Sequence, residues 1–246
     1  MKNLKNLLYL IIFGLGITSC APRFYAPDTH NVPLLSGKGE TNISASGNTE
    51  RIEFQASHGL TNNIGIKANG GFFLPADFVE GEGGSGKMIE LGAGYYTPLK
   101  GKWIFETYGI VGIGSAENHH PFNAGGLFDI RGELTTKFLR LGIQPNIGFK
   151  SEDLFFSFST RLANLSFNNI AGDLVFEGED QREYLMRNNS HFLIEPALSI
   201  RVIFNKFSVG MQLGYSGNVT KTNFRQYKSY AVLTLHYTFN SQYSDD

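Results

Sequence analysis

The sequence predicts an all-β chain folded as an up-and-down antiparallel transmembrane β-barrel of about ten strands. Three observations predict it: apolar and polar residues alternate through most of the chain after residue 40, short connections alternate with long ones, and aromatic residues gather near strand ends. The alternation is clearest over 191–217. Every second residue places Phe192, Ile194, Pro196, Leu198, Ile200, Val202 and Phe204 on one face, with Glu195, Ser199 and Arg201 among those on the other. Asn205 and Lys206 make a two-residue turn. The pattern resumes with Phe207, Val209, Met211, Leu213 and Tyr215 against Ser208, Gly210, Gln212, Gly214 and Ser216, so the two strands pair antiparallel.

Composition agrees with that class. The 246 residues contain 29 Gly, 13% aromatic and only 17% charged residues, a balance that suits twisted sheet with close backbone approaches better than a helical bundle. No helix-period apolar segment follows residue 20, and no Pro, Ser or charge-rich linker divides the chain, which points to one domain over 39–240. Residues 241–246 form a polar C-terminal tail. Setting aside Lys2 and Lys5 leaves 19 basic against 22 acidic residues, a formal charge of −3 that gives no reason to expect nucleic acid as a partner.

Residues 1–20 read as a processing segment, with a basic start at Lys2 and Lys5, an apolar run over 7–15 too short to span a bilayer, and Ile17-Thr18-Ser19-Cys20 at its end. This ending resembles a bacterial lipobox, although Ile17 stands where Leu is more typical. The resemblance implies that Cys20, which is the only cysteine of the chain, becomes the lipidated first residue of the mature protein. Ala21 follows it, so the Asp that retains many lipoproteins at the inner membrane is missing. Residues 21–38 are polar, extended and contain three prolines, and they read as a tether from the lipid to the barrel.

Tyr25-Ala26-Pro27, Val32-Pro33-Leu34-Leu35 and Lys38-Gly39-Glu40 open the mature chain. Together with His58-Gly59-Leu60-Thr61-Asn62-Asn63-Ile64-Gly65-Ile66 and Gly70-Gly71-Phe72-Phe73, they resemble a family of small bacterial outer-membrane barrel lipoproteins. The resemblance covers the mature chain. It implies a fold and an outer-membrane location, with membrane lipid as the immediate partner, and no reaction.

Ten strands are expected near 40–47, 50–58, 63–74, 87–97, 102–115, 132–149, 154–168, 190–204, 207–217 and 227–239. The connections 59–62, 98–101, 150–153 and 205–206 are short, and 75–86, 116–126, 169–189 and 218–226 are long; only the turn at 47–50 breaks the order. Short turns at one end and long loops at the other are expected of a barrel inserted from the periplasm, with both chain ends, including the lipidated one, on the short-turn side. A strand of about 13 residues such as 192–204 is roughly 40 Å long at ~3.3 Å per residue and ~30 Å tall after a ~40° tilt, which matches a bilayer core. Two aromatic girdles are expected. Tyr95, Tyr96, Trp103, Phe149, Phe155, Phe204, Phe207, Tyr237 and Phe239 fall at the short-turn end, and Phe72, Phe73, Phe167, Phe192, Tyr215 and Tyr227 at the other. The last strand alternates Leu233, Leu235, Tyr237 and Phe239, which resembles the terminal signal of outer-membrane barrels.

The polar face holds Arg51, Glu53, Lys67, Glu90, Glu106, Arg140, Arg161, Glu195 and Arg201, five cations against four anions. Burial of charge is costly without pairing, so this near-balance predicts a lumen network of ion pairs, with Gln55, Asn69, Gln144, Asn146, Ser157, Ser159, Ser199 and Gln212 beside it. A ten-stranded barrel leaves little room, so the lumen should be mostly filled.

No motif supplies chemistry. Gly81-Glu82-Gly83-Gly84-Ser85-Gly86-Lys87 matches a phosphate-loop pattern, but Met88 replaces the Ser or Thr that would bind magnesium and a strand follows instead of a helix. No cofactor or metal is implied. His119 and His120 sit in a long loop and point apart, and Glu177, Glu179, Asp180 and Glu183 make the 169–189 loop acidic. His30, His58, His119, His120, His191 and His236 show no spacing that singles out a nucleophile, base and orienter, so the chain does not read as an enzyme.

The function expected is that of a lipid-anchored outer-membrane barrel with a structural or interaction role, meeting a protein partner through loops 75–86, 116–126 and 169–189. One alternative turns the strands inside out into a lipid-anchored, soluble lipocalin-like barrel around an apolar ligand, because periodicity alone does not say which face points to lipid. The other is a rim-site outer-membrane hydrolase or a narrow channel.

Overall fold

The computed structural model describes residues 21–74, 83–120 and 129–239. Leader residues 1–20 with Cys20, loop residues 75–82 and 121–128, and the tail with Asn240 lie outside them. The described residues form thirteen strands and one short helix. These are β1 (Thr41–Asn48), β2 (Arg51–Gly59), β3 (Ile64–Phe73), β4 (Gly83–Pro98), β5 (Trp103–His120), β6 (Ile130–Lys150) and β7 (Leu154–Gly172), then the short β8 (Val175–Phe176), β9 (Glu179–Asp180) and α1 (Gln181–Arg187). The chain ends in β10 (Ser190–Phe204), β11 (Phe207–Tyr215), β12 (Gly217–Asn218) and β13 (Ser229–Phe239).

Each long strand pairs antiparallel with the next, β7 with β10, β11 with β13 and β13 with β1, and the ring of ten therefore has no free edge. The pairing of Phe204 with Phe207 fixes the two-residue turn, where Asn205 adopts φ 59°.

The apolar set faces outward. Phe192, Ile194, Leu198, Ile200, Val202 and Phe204 are all exposed, while Glu195, Ser199 and Arg201 are buried. Ile89, Leu91, Val111, Ile113, Leu141 and Ile143 continue the apolar belt over β4, β5 and β6. This is the transmembrane arrangement, and it removes the lipocalin-like alternative, whose interior would have to be apolar.

The barrel wall is uneven. Strands β4 to β7 run 16 to 21 residues and β1 to β3 only 8 to 10, so one wall rises well past the other on the long-loop side. The extra height comes from stretches expected as loops. Residues 83–86 belong to β4, 116–120 to β5 and 169–172 to β7, because β5 keeps its register with both neighbours as far as His119 paired with Gly83 and with Glu133, and β7 pairs with β6 as far as Gly172 with Leu134. Gly83 to Lys87 of the phosphate-loop look-alike is therefore strand; Gly81 and Glu82 lie outside the described residues.

The 169–189 stretch also departs from a plain loop. It forms a small β8–β9 hairpin and then α1, which Asp180 caps by accepting from Arg182 N at 2.8 Å and Glu183 N at 3.2 Å. Gln181, Tyr184 and Leu185 are its buried face at helical spacing. Seven residues are too few for a helical period to stand out in the sequence.

The largest departure concerns residues 21–38. The segment is extended, but it lies inside the barrel. Its Arg23 and Phe24 bond to Asn118 and Arg225 at the long-loop end, whereas Leu34 and Leu35 bond to Lys150 and Glu106 near the short turns. The chain therefore runs down the lumen from the long-loop rim and turns at the bottom into β1. Residue 21 lies at the long-loop end, not on the short-turn side expected for both chain ends.

Candidate functional site

Proline explains how a segment can stay extended and buried without joining a sheet. Pro27 and Pro33 have no N–H to satisfy, and each biases the residue before it away from helix. The remaining backbone groups are met by barrel side chains. Gln212 brackets His30, accepting from its N–H at 2.7 Å and donating to its carbonyl at 3.0 Å. Thr29 N–H donates to Glu53 at 2.8 Å, and the Thr29 carbonyl accepts from Gln55 at 3.0 Å. Gln144 donates to the Asn31 carbonyl at 3.0 Å, Arg201 to that of Val32 at 2.8 Å, and Glu106 accepts from Leu35 N–H at 2.7 Å. The polar face of the sheet thus does for this segment what a neighbouring strand would do.

Asp28 is at the centre of an ionic belt halfway down. Its Oδ1 lies 2.7 Å from Arg140 on β6 and 2.7 Å from Arg161 on β7. Arg140 also binds Glu90 on β4, reaching it along the row Glu90, Gly112, Arg140 across three strands. Arg161 faces its cross-strand partner Glu195 at 3.1 Å. Tyr25 closes the ring, accepting from Arg140 at 2.8 Å and donating to Glu195 at 3.0 Å.

All nine residues expected in a lumen network are buried, but they do not form one continuous chain of ion pairs. Arg140, Arg161, Glu90 and Glu195 meet around Asp28, and Arg51 lies 3.7 Å from Glu53. Lys67 donates to Gln144 at 2.8 Å, and Arg201 places its guanidinium over Phe155 and meets His236 at 3.0 Å.

Three charged residues of the interior were missed by the periodicity of the strands. Asp28 lies in the luminal segment, Glu40 just before β1 and Lys150 at the end of β6. With them, the buried charges of the described residues number six cations and six anions. Asp28 and Glu40 come from the stretch expected to lie outside the barrel, so no reading of strand faces could have counted them. The imbalance of five cations to four anions was the available signal.

Above the belt, the long-loop end is closed by apolar packing. Phe24 lies 6.1 Å from the Tyr184 ring of α1 and 6.4 Å from Phe224, while Tyr25 meets Phe138 edge-on at 5.8 Å. Phe167, Leu193 and Leu185 complete this cap. Arg225 spreads over the Phe176 and Tyr184 rings at 4.8 and 4.5 Å and pairs with Glu179 at 3.1 Å. Phe167, expected in an outward girdle, instead points inward, as do Tyr96 and Phe155 at the other end. Trp103, Phe204, Phe207, Phe72, Phe192 and Tyr215 face outward.

At the short-turn end Leu34 and Leu35 fit against glycines. A methyl at Gly148 would stand 2.5 Å from Leu34 Cδ1, and one at Gly65 2.7 Å from Leu35 Cδ1. Lys150 Nζ lies 2.6 Å from Glu40 there. Burial works against the Glu40 carboxylate, but Lys150 and the Ser36 hydrogen bonds outweigh it and hold Glu40 below the usual carboxylate range.

The histidines are spread through these structural contacts. His30 Nδ1 meets Ser159 at 2.7 Å within the filled lumen, and His58 meets Thr41 at 2.7 Å. His191 lies tilted against Phe224, with their ring centres 3.9 Å apart. His119 and His120 end β5 instead of lying in a loop. They point to opposite sides, with His119 exposed 3.3 Å from Glu133 and His120 buried. Among the described residues no three His, Cys, Asp or Glu side chains are grouped to hold a metal ion. A cavity of about 20 Å³ beside Arg23, Tyr25, Phe73 and Tyr227 has room for one water molecule.

No protein-family model matches the chain, and no curated protein matches it. Among solved structures it is similar to KdgM porin in complex with disordered oligogalacturonate, at 9% identity and a TM-score of 0.37, covering 82% of this chain and 99% of that one. It is similar to LpxR from Salmonella typhimurium with the same identity, coverage and TM-score.

Proposed function

We propose that this protein is a lipid-anchored outer-membrane barrel closed to transport by its own N-terminal segment, and that its work is structural or done by contacts at the long-loop face. The observation that carries this reading is the occupation of the lumen by residues 24–35, held by Asp28 between Arg140 and Arg161 and capped by Phe24 under α1. A selective pore needs a continuous watery path, and here the charges that could line one are bonded to one another and to the segment. A rim hydrolase needs a nucleophile and base facing a substrate, whereas the Ser159–His30 contact is shut inside. The outward belt supports membrane residence independently of the lipid at Cys20.

The full chain reconstituted into planar bilayers is expected to leave the conductance at the baseline of lipid alone. Stepwise openings at modest voltage would overturn the closed reading. Cys20→Ala, expressed behind a cleavable leader, should still resist carbonate extraction from membranes; release as a soluble folded protein would overturn membrane residence.

A further inference from the structure

The direction of the luminal segment fixes where the chain leaves the barrel. Arg23 N–H donates to Asn118 Oδ1 at 3.0 Å and its guanidinium to the Gln226 carbonyl at 3.2 Å; the same guanidinium lies 5.8 Å above the Tyr227 ring. Phe24 N–H donates to the Arg225 carbonyl at 3.0 Å, and Tyr25 forms a parallel bridge with Gln226. All of these partners lie on the long-loop side, on the upper part of β5 and the β12–β13 connection.

We propose that the lipid on Cys20 is held in the membrane leaflet that borders the long loops, the outer leaflet of the outer membrane, and not in the leaflet at the short turns. This rests on the lipid-anchor reading above. Reach decides the leaflet. From Phe24 back to Cys20 is four residues, at most ~14 Å when fully extended. The hydrocarbon core is ~30 Å thick, and the lumen route to the other side is already filled by the chain itself. A diacylglycerol at Cys20 therefore has only the near leaflet within range. The anchor and the long loops then share one face.

The test places a short epitope between Ala21 and Pro22 in the full lipid-bearing protein, with the same epitope after Thr222 and after Lys206 as controls for the two faces. Antibody binding to intact cells is compared with binding after lysis, and a heat-dependent gel shift confirms that each barrel is folded. The 21/22 epitope is expected to be read on intact cells to the same extent as the Thr222 epitope, with the Lys206 epitope read only after lysis. Silence of the 21/22 epitope on intact cells, or a pattern matching Lys206, would overturn the proposal. Should the insertion prevent folding, Ala21→Lys reacted with a membrane-impermeant amine reagent and read by peptide mass reports the same face. Incorporation of labelled palmitate into wild type but not into Cys20→Ala distinguishes the two ideas. Absence of label sinks the anchor itself, whereas a labelled protein with a silent epitope sinks only its placement.

Discussion

Halfway down the lumen and at its long-loop mouth, the same N-terminal segment is held by opposite means. At Asp28 the contacts are ionic. Two guanidiniums converge on its carboxylate, and each is held by a further carboxylate, Arg140 by Glu90 and Arg161 by Glu195. At Phe24, four residues earlier, the contacts are rings packed on Tyr184 and Phe224, with no charge involved in the side chain's own packing. The difference teaches how a barrel with a polar inside can be plugged at all. The middle of the lumen already carries charges from the strands, so the plug must complete a balance there, and it packs apolar side chains toward the two ends, Phe24 at the long-loop mouth and Val32 and Leu34 near the short turns.

The comparison breaks most visibly at Asp28. Asp28→Ala leaves Arg140 and Arg161 buried beside each other with one carboxylate fewer, and it should cost about 3–5 kcal/mol. Asp28→Asn, which keeps the volume, should cost nearly as much. Urea unfolding in detergent micelles, followed by the fluorescence of the single Trp103, measures both. A near-wild-type Asp28→Asn would show that the belt is held by shape and would remove the contrast.

Phe24 should answer in the opposite way. Phe24→Ala opens a cavity in the cap and should cost about 3 kcal/mol, whereas Phe24→Leu, still apolar and closer in volume, should cost under ~1.5 kcal/mol. The same unfolding assay applies, and equal losses for the two variants would mean that ring packing, not filled volume, holds the mouth shut.

What the sequence revealed follows the same division. Period-two alternation made the strands and the nine charged residues of their polar face legible, because strand geometry forces neighbouring side chains onto opposite faces; which face points inward it did not say. The luminal segment has no such period. The side chains of Tyr25, Asp28 and His30 are placed by hydrogen bonds with residues 112 to 170 positions away in the chain, and a Pro-rich polar stretch looks the same inside a lumen as outside it. Tyr96, Phe155 and Phe167 read as girdle residues for a related reason. Their positions near strand ends were legible, but their inward direction depends on the segment that packs against them. The height of β5 was hidden because Ser115, Glu117 and His119 are polar outward residues above the lipid belt, where alternation no longer contrasts apolar with polar.

The short-turn end of the segment joins both modes, and it gives the smallest and most conditional effect. Leu34 packs against Gly148 while its carbonyl accepts from Lys150 at 3.0 Å, and Lys150 is paired with Glu40. Glu40→Gln should cost about 2 kcal/mol at neutral pH, the loss of one charge-assisted bond with Leu34 still capping the ammonium. Because the folded-state pKa of Glu40 is lowered from its ordinary 4.5, its stabilising contribution is present above that value and is lost as the pH falls through the folded pKa. The gap between wild type and Glu40→Gln should therefore be constant from neutral pH down to about 4.5 and narrow below it. Unfolding midpoints of both proteins across that range measure it. A gap that stays constant in acid would mean that Lys150 is held by the Leu34 carbonyl alone, and that this end of the plug is secured, like Phe24, by packing.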